Sequence, residues 1–506
     1  MGIASDIFKT DRRIKLGIWG LGRGQNFINA AKYLNIDVVA GCDYNQHMRE
    51  RFLKNCPGAY VSDNEDEFLA QDFDAVLIAT WFCSHAEHTL KALGAGKHVM
   101  CEVTSFFTPA EAVRLVEAVE SSGRVYNLLE NYPFQMGNMY VRSLWQQGFF
   151  GDFMYAEYDY VHECRSLSYT YIDGVPVKPG YHAHQWRSWL NFQYYNTHSL
   201  GPVMQITGLR PTRICALPST VALPGYLGDG KMGGIAPSLI SMSNGGVMRN
   251  LMGGTTNDSH TRKLWGTKAA VDLTGDVRIR VGASGHGRWL TVAPKWPEMA
   301  ELANQAGHGG GDFWELFYFA RQILTGEKAP WDIYAACDVT MAGIMGVKSS
   351  LANGEPMDIP DFRDHAAREA FRADHFAQEH FDPKAIFPAG HDPAITDQFT
   401  TVMSRFSSMG GFIGTILVRN VFDGMALYPD LASDQDRFAV IADVRKLIHE
   451  LPAIASNYRE ALAIADAYPD AMAAKAIYDS VHSAEMAKVL DTDKTIAELR
   501  DWLAAM

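Results

Sequence analysis

Lys15-Leu16-Gly17-Ile18-Trp19-Gly20-Leu21-Gly22-Arg23-Gly24-Gln25-Asn26 is the stretch on which the fold turns. An apolar strand over residues 16–19 runs into glycines at 20, 22 and 24, and a helical pattern follows. Glycines there leave backbone N–H groups bare at a helix N-terminus, the arrangement that cradles a dinucleotide pyrophosphate. Gln25 stands where the third glycine of Gly-x-Gly-x-x-Gly is expected, and a glycine turn alone is also an ordinary turn. Its surroundings decide between the two. A helix is predicted over 25–35, then the apolar run Ile36–Cys42, then Asp43, 23 positions after Gly20. An acid about 20 positions on is what holds the ribose hydroxyls. Asp43 favours NAD, since a carboxylate repels a 2′-phosphate; Arg51, a helical turn or two away, keeps NADP as the alternative.

Working outward, apolar runs at 16–19, 38–42, 75–79, 99–101 and 125–129 alternate with helical patterns such as 86–95 and 109–121. Thr108 and Pro109 stand at the N-cap and first position of the latter. Strand–helix alternation predicts βαβ units in a doubly wound parallel sheet. Ligands bind at the carboxyl ends of such strands, so Thr80, Trp81, His85, Glu102 and Glu130 are expected on one rim. From about residue 139 the pattern changes. A helix over 139–147 precedes strand-like runs at 153–162, 213–217, 236–242, 247–251, 269–273 and 277–281. Residues 330–351 form a strong helical pattern, and amphipathic stretches follow at 434–451, 457–467 and 471–488. The expected fold is α/β: a Rossmann domain over 1–135, an α+β domain with a mostly antiparallel sheet over 136–361, and a helical extension over 362–506. The 330–351 helix is expected to pack back on the Rossmann domain.

Composition narrows the partners. The 506 residues are 47% hydrophobic and 20% charged, with a net charge of −13, which disfavours nucleic acid and anionic membrane. No apolar span is long enough for a membrane. The seven cysteines form no C-x-x-C pair and several sit in apolar runs, so they read as reduced, buried thiols. The polar N-terminus has no signal-peptide core, and a cytoplasmic location is expected. Many of the 11 tryptophans and 21 tyrosines fall between residues 130 and 200, a pattern suiting a carbohydrate site or a packed sheet equally.

Ala79-Thr80-Trp81, His85, Ala92-Leu93-Gly94-Ala95-Gly96-Lys97-His98-Val99 and Glu102 together resemble the Gfo/Idh/MocA oxidoreductase superfamily over about residues 14–360. That resemblance implies a Rossmann domain followed by a sheet domain whose open face holds a sugar-like substrate. Dehydrogenases of the superfamily carry Glu-Lys-Pro at the fourth strand's end, and the lysine assists proton transfer. Here the tripeptide is Glu102-Val103-Thr104, and valine moves no proton. Glu-Val is similar to glycoside hydrolase family 109. So are Leu129-Glu130-Asn131, Tyr160-Val161-His162, Tyr195-Asn196-Thr197-His198-Ser199-Leu200-Gly201-Pro202 and Gly307-His308-Gly309-Gly310-Gly311-Asp312. The resemblance implies that Glu130, Tyr160, Tyr195 and His198 contact the sugar. It also implies hydrolysis by transient oxidation at C3, elimination of the anomeric group across C2–C1, water addition and re-reduction.

The catalytic candidates are therefore His198, Tyr195, Tyr160 and Glu130. His198 leads as base because imidazole titrates near neutral pH. Cofactor contacts are expected from Gly20, Gly22, Arg23, Gly24, Gln25, Asp43, Thr80, Trp81, His85, Glu102 and Asn131. Substrate contacts are expected from Glu130, Tyr160, Tyr195 and His198, and from His182, Trp186 and Arg187 in a loop approaching the sugar. His182 and His184 stand at i, i+2 without the further ligands of a zinc site, and no metal is expected. The expected cofactor is NAD, the partner a glycoside, and the assembly a homo-oligomer. A sugar or polyol dehydrogenase, a lyase stopping after elimination and a non-enzymatic NAD-binding scaffold are the competing readings.

Overall fold

The computed structural model of the chain describes residues 7–162, 190–221, 234–254, 260–296, 299–378, 412–467 and 484–506. The first sheet has six parallel strands: β1 (Ile14–Trp19), β2 (Ile36–Cys42), β3 (Tyr60–Ser62), β4 (Ala75–Ile78), β5 (His98–Glu102) and β6 (Tyr126–Leu129). Their order is β3-β2-β1-β4-β5-β6, a doubly wound topology that reverses beside β1, next to the glycine turn. Leu16, Ile18, Val76, Leu77, Val99 and Met100 are fully buried, as parallel strands covered on both faces require. Thr108 caps the helix Pro109–Ser122 as expected: Glu111 N–H donates to Thr108 Oγ1, and Thr108 N–H to Glu111 Oε2.

The helix expected over 25–35 is not formed as such. A single 3-10 turn, Arg23–Phe27, leads into a four-residue helix, Ile28–Ala31. Gly22 offers no side-chain cap, while Gln25 turns its amide back to donate to the Leu21 carbonyl (2.6 Å) and accepts from Asn55 (2.8 Å). Asn35 then ends the segment with a positive φ of 54°, held by bonds from its Nδ2 to the Thr10 and Arg12 carbonyls.

The second sheet comprises β7 (Phe153–Val161), β8 (Pro211–Ala216), β9 (Ile235–Met242), β10 (Val247–Gly253), β11 (Arg262–Gly266), β12 (Ala270–Asp272), β13 (Val277–Val281), β14 (Arg288–Val292) and β15 (Met357–Asp358). The order is β14-β13-β12-β11-β7-β10-β9-β8-β15, antiparallel except for the β7–β10 pair. Strands β3, β11, β14 and β15 escaped the sequence reading. The helix Met136–Gln146 crosses from β6 to β7, and Thr197–Thr207 packs against both that helix and β7. The helix Ile333–Leu351 lies against β8 and also against Pro109–Ser122 and β6.

The helices Phe412–Leu427, Asp434–Ala467, Ala484–Leu490 and Thr492–Ala504 share a core of their own, including Val421, Leu447, Leu451, Tyr458 and Leu499. Two helices were expected where Asp434–Ala467 runs unbroken through Pro452. Leu447, Leu451, Ile454 and Tyr458 bury one continuous face, and that packing offsets the roughly 3 kcal/mol a proline costs in a helix interior. Most of the stretch expected to be helical over 471–488 lies outside the described residues.

The glycine turn admits one backbone shape. Gly20 has φ +94°, and a Cβ there would stand 2.3 Å from the Ala79 carbonyl oxygen. Gly20→Ala is expected to lower stability by about 2 kcal/mol through clash and positive φ together. A urea midpoint equal to the parent's would refute this account of the turn.

Candidate active site

Two groups of side chains meet at the carboxyl-end rim of the first sheet. The first is electrostatic. Asp43, just past β2, accepts from Leu21 N–H (2.7 Å) and Asn45 N–H (2.9 Å), so the acid is locked beside the glycine turn. Gly22 opens onto free space: a Cβ there would meet no protein atom within 4 Å. A bare turn backed by a fixed carboxylate suits a dinucleotide, with its pyrophosphate over the turn and its ribose at the acid. Arg49 pairs with Asp63 (3.2 Å) and donates to the Asp43 and Tyr44 carbonyls, so it is committed to holding this loop. Arg51 lines a 400 Å³ cavity together with Gln25, Lys32 and Asn55, and with Arg23 and Asp312.

Arg23, expected as a cofactor contact, spends its guanidinium on protein carboxylates. Nε donates to Glu102 Oε1 (2.9 Å), and the two terminal nitrogens donate to both oxygens of Asp312 (2.8 Å each). Asp312 stands in the first turn of the helix Gly311–Thr325 and also accepts from Asn131 Nδ2 (3.1 Å) and bonds His308 Nδ1 (2.9 Å). Burial alone would raise the Asp312 carboxyl; Arg23 and His308 outweigh it and hold the group well below the usual carboxylate range. Glu102 is pushed up, by burial first, with Arg23 opposing. One helical turn beyond Asp312 lies Glu315, 4% exposed, and neither carboxyl oxygen has a hydrogen-bond partner among the described residues.

The second group is aromatic. Glu130, fully buried just past β6, brackets His198 Nδ1 with its two oxygens at 2.9 and 2.8 Å and accepts from Tyr132 N–H (3.1 Å). With Glu130 ionised, Nδ1 must be the donor, which leaves Nε2 as the basic nitrogen. Tyr132 stacks on the imidazole at 4.5 Å, and Tyr195 and Tyr160 meet it edge-on at 4.5 and 4.9 Å. His198 and Tyr195 flank the start of the helix Thr197–Thr207, where a Cβ added at Gly201 would stand 3.2 Å from both Glu130 Cγ and Trp331. A side chain at 201 would therefore crowd the glutamate that holds the histidine.

This cluster is not on the open face of the second sheet, where the superfamily resemblance put the substrate. Along β7, Ala156, Tyr158 and Tyr160 share the helix-covered face, where the Tyr158 hydroxyl donates to Asn138 Oδ1 (3.2 Å). Thr80 and Trp81 reach the rim just past β4; Thr80 Oγ1 lies 2.7 Å from His88 Nδ1, and Trp81 packs on Phe82. His85 is almost fully buried, with its ring nitrogens 2.8 and 3.2 Å from the Thr104 and Thr80 carbonyls. Burial pushes it down to about 4, so it is neutral at physiological pH and its single N–H donates to only one of the two carbonyls. His182, Trp186 and Arg187 lie outside the described residues. The sequence reading missed Tyr132 and Glu315. Tyr132 follows a strand-end acid by two positions, and Glu315 is a lone acid inside Phe313-Trp314-Glu315-Leu316-Phe317; both signals were available.

Comparison with known proteins supports the fold and the cofactor. Residues 14–129 match the oxidoreductase family, NAD-binding Rossmann fold. Residues 291–367 match the glycosyl hydrolase 109 C-terminal domain. The chain thus joins a Gfo/Idh/MocA NAD-binding domain, with NAD as its cofactor, to a family 109 C-terminal domain. A "Glycosyl hydrolase family 109 protein" of Stenotrophomonas maltophilia is 27% identical over 410 residues, covering 69% of this chain and 89% of that one. An "Alpha-N-acetylgalactosaminidase" of Tannerella forsythia is 26% identical over 412 residues, covering 70% and 87%. Levoglucosan dehydrogenase in complex with NADH and levoglucosan shares the fold, at 17% identity and a TM-score of 0.58, over 69% of this chain and all of that one. No helix among the described residues is long and apolar enough to cross a membrane.

Arg23→Ala leaves Asp312 and Glu102 buried without their cation. The expected loss is about 3–5 kcal/mol at pH 7. Asp312 is lowered in the fold, so the stability it draws from Arg23 is present above the ordinary carboxylate value of about 4 and fades as pH falls below it. The gap between variant and parent, read by urea unfolding, should therefore narrow at acid pH; a gap independent of pH contradicts the assignment.

Proposed function

We propose that this chain is an NAD-dependent glycoside hydrolase. The observation that carries the reading is the buried Glu130–His198 pair, ringed by three tyrosines, at the rim of an NAD-binding sheet. An ordinary glycosidase needs two carboxyl groups facing the scissile bond, one as acid and one as base or nucleophile. Here Glu130 is committed to His198, and Glu102 and Asp312 to Arg23. The site therefore favours the route in which a bound dinucleotide takes a hydride from a ring carbon and later returns it.

The chain's own groups supply the proton chemistry. Once C3 is a ketone, the C2 hydrogen is acidic, and His198 Nε2 is the base for it. Glu130 fixes the imidazole tautomer and stabilises the imidazolium that forms. The anomeric group leaves by elimination, water adds back at C1, and the proton returns to C2, so the net reaction is hydrolysis without redox change. Tyr132, Tyr160 and Tyr195 wall the imidazole, and their faces suit the apolar side of a pyranose. Val103, where the dehydrogenases' lysine would stand, counts against a plain dehydrogenase, although the fold is shared with sugar dehydrogenases. The names of the relatives make α-N-acetylgalactosaminides the substrates to try first.

The test is aryl α-N-acetylgalactosaminide with and without NAD⁺, following aglycone and NADH together, with product recovered from D₂O. Expected are cofactor-dependent aglycone release, no accumulating NADH, deuterium at C2, and a 10²–10⁴-fold slower His198→Asn variant that still binds NAD⁺. Stoichiometric NADH without bond cleavage would make the enzyme a dehydrogenase instead.

A further inference from the structure

We propose that Glu315 is a proton-holding residue of the cofactor rim: it carries a proton in the free protein and releases it to solvent when oxidised dinucleotide binds. The argument begins with what Glu315 lacks. Both oxygens are buried without a hydrogen-bond partner among the described residues, and an ionised carboxylate left that way would cost several kcal/mol. The side chain belongs to the helix Gly311–Thr325, which packs on the 3-10 turn Arg23–Phe27, on β6 and on the turn Tyr132–Phe134. The charged groups facing it are Arg23 from the glycine turn, Glu102 from the end of β5, Glu130 from beyond β6 and Asp312 from its own helix, with His308 acting through Asp312.

A charge count then fixes the state. Arg23 is one cation, and it is already divided between Glu102 and Asp312. A third carboxylate beside them would be uncompensated, and like charges in a dry site do not ionise together. Burial, reinforced by Asp312 and Glu102, pushes Glu315 far above the ordinary carboxylate range, with Arg23 opposing. Such a group responds to any new positive charge at the rim. The oxidised nicotinamide ring is cationic and the reduced ring is neutral. Oxidised cofactor therefore favours the carboxylate of Glu315, its proton passing to solvent, and reduced cofactor favours the acid, which takes a proton back. Hydride arrival would thus be matched by proton uptake within the protein. The inference rests on NAD binding alone and holds whether the enzyme is a glycosidase or a dehydrogenase.

The experiment needs no sugar. Proton release on binding NAD⁺ and NADH is measured by calorimetry in buffers of different ionisation enthalpy, for the parent and for Glu315→Gln, which keeps the shape and removes the acid. Expected in the parent is release of close to one proton with NAD⁺ and little with NADH. Correspondingly, the ratio of NAD⁺ to NADH affinity should rise by up to about tenfold per pH unit across the transition. In Glu315→Gln both effects should disappear while the two cofactors still bind. Infrared difference spectra of the parent, with and without NAD⁺, serve independently of any variant: a protonated-carboxyl band should be lost on binding. A proton count unchanged by Glu315→Gln, or no protonated carboxyl in the free protein, overturns the proposal.

Discussion

Arg23 leaves the glycine turn and spends three of its five donors on two carboxylates that come from far apart in the chain. Glu102 closes the fifth strand of the parallel sheet, and Asp312, 289 residues after Arg23, opens a helix. Both acids are buried or nearly so, and neither could remain ionised there without the guanidinium. The same bond that satisfies them fixes the turn against the helix Gly311–Thr325.

From this constraint the site divides its labour. On the cofactor side charge is gathered and balanced: Asp43 is held by two backbone N–H groups, Asp312 by Arg23, Asn131 and His308, and Glu315 is kept dry. Across from it, His198, the base of the proposed function, is oriented by one carboxylate and walled by aromatic rings. Among the described residues, spending these acids on positioning leaves no opposed pair of carboxylates beside His198. On the proposed function, a bound cofactor would supply the difficult step, which would make the glycine turn and the His198 cluster parts of one machine.

How much of this was legible depended on range. The glycine turn, Asp43, the Thr108 cap and the strands beneath them are local patterns, and the sequence carried them plainly. Glu130 and His198 were recognisable as candidates, each at the end or start of an element, but their pairing spans 68 residues and only packing brings them together. Gln25 looked like a defect in the glycine fingerprint and is a side-chain brace closing the turn. Arg23 was expected as a cofactor contact, because nothing local reveals that its partners are Glu102 and Asp312. The helix expected after the turn shrank for want of a cap, and Asp434–Ala467 ran on through Pro452 because tertiary burial outweighed a local breaker.

The central claim is that a hydride leaves the sugar and returns to it within one turnover. It is tested most directly with a glycoside carrying deuterium at C3, in the presence of unlabelled NAD⁺. The account predicts that the hydrolysed sugar retains its C3 deuterium, that bond cleavage shows a primary isotope effect, and that no label enters the free cofactor pool. Deuterium accumulating in free NADH, or cleavage with no isotope effect at C3 under conditions where chemistry limits the rate, would contradict it.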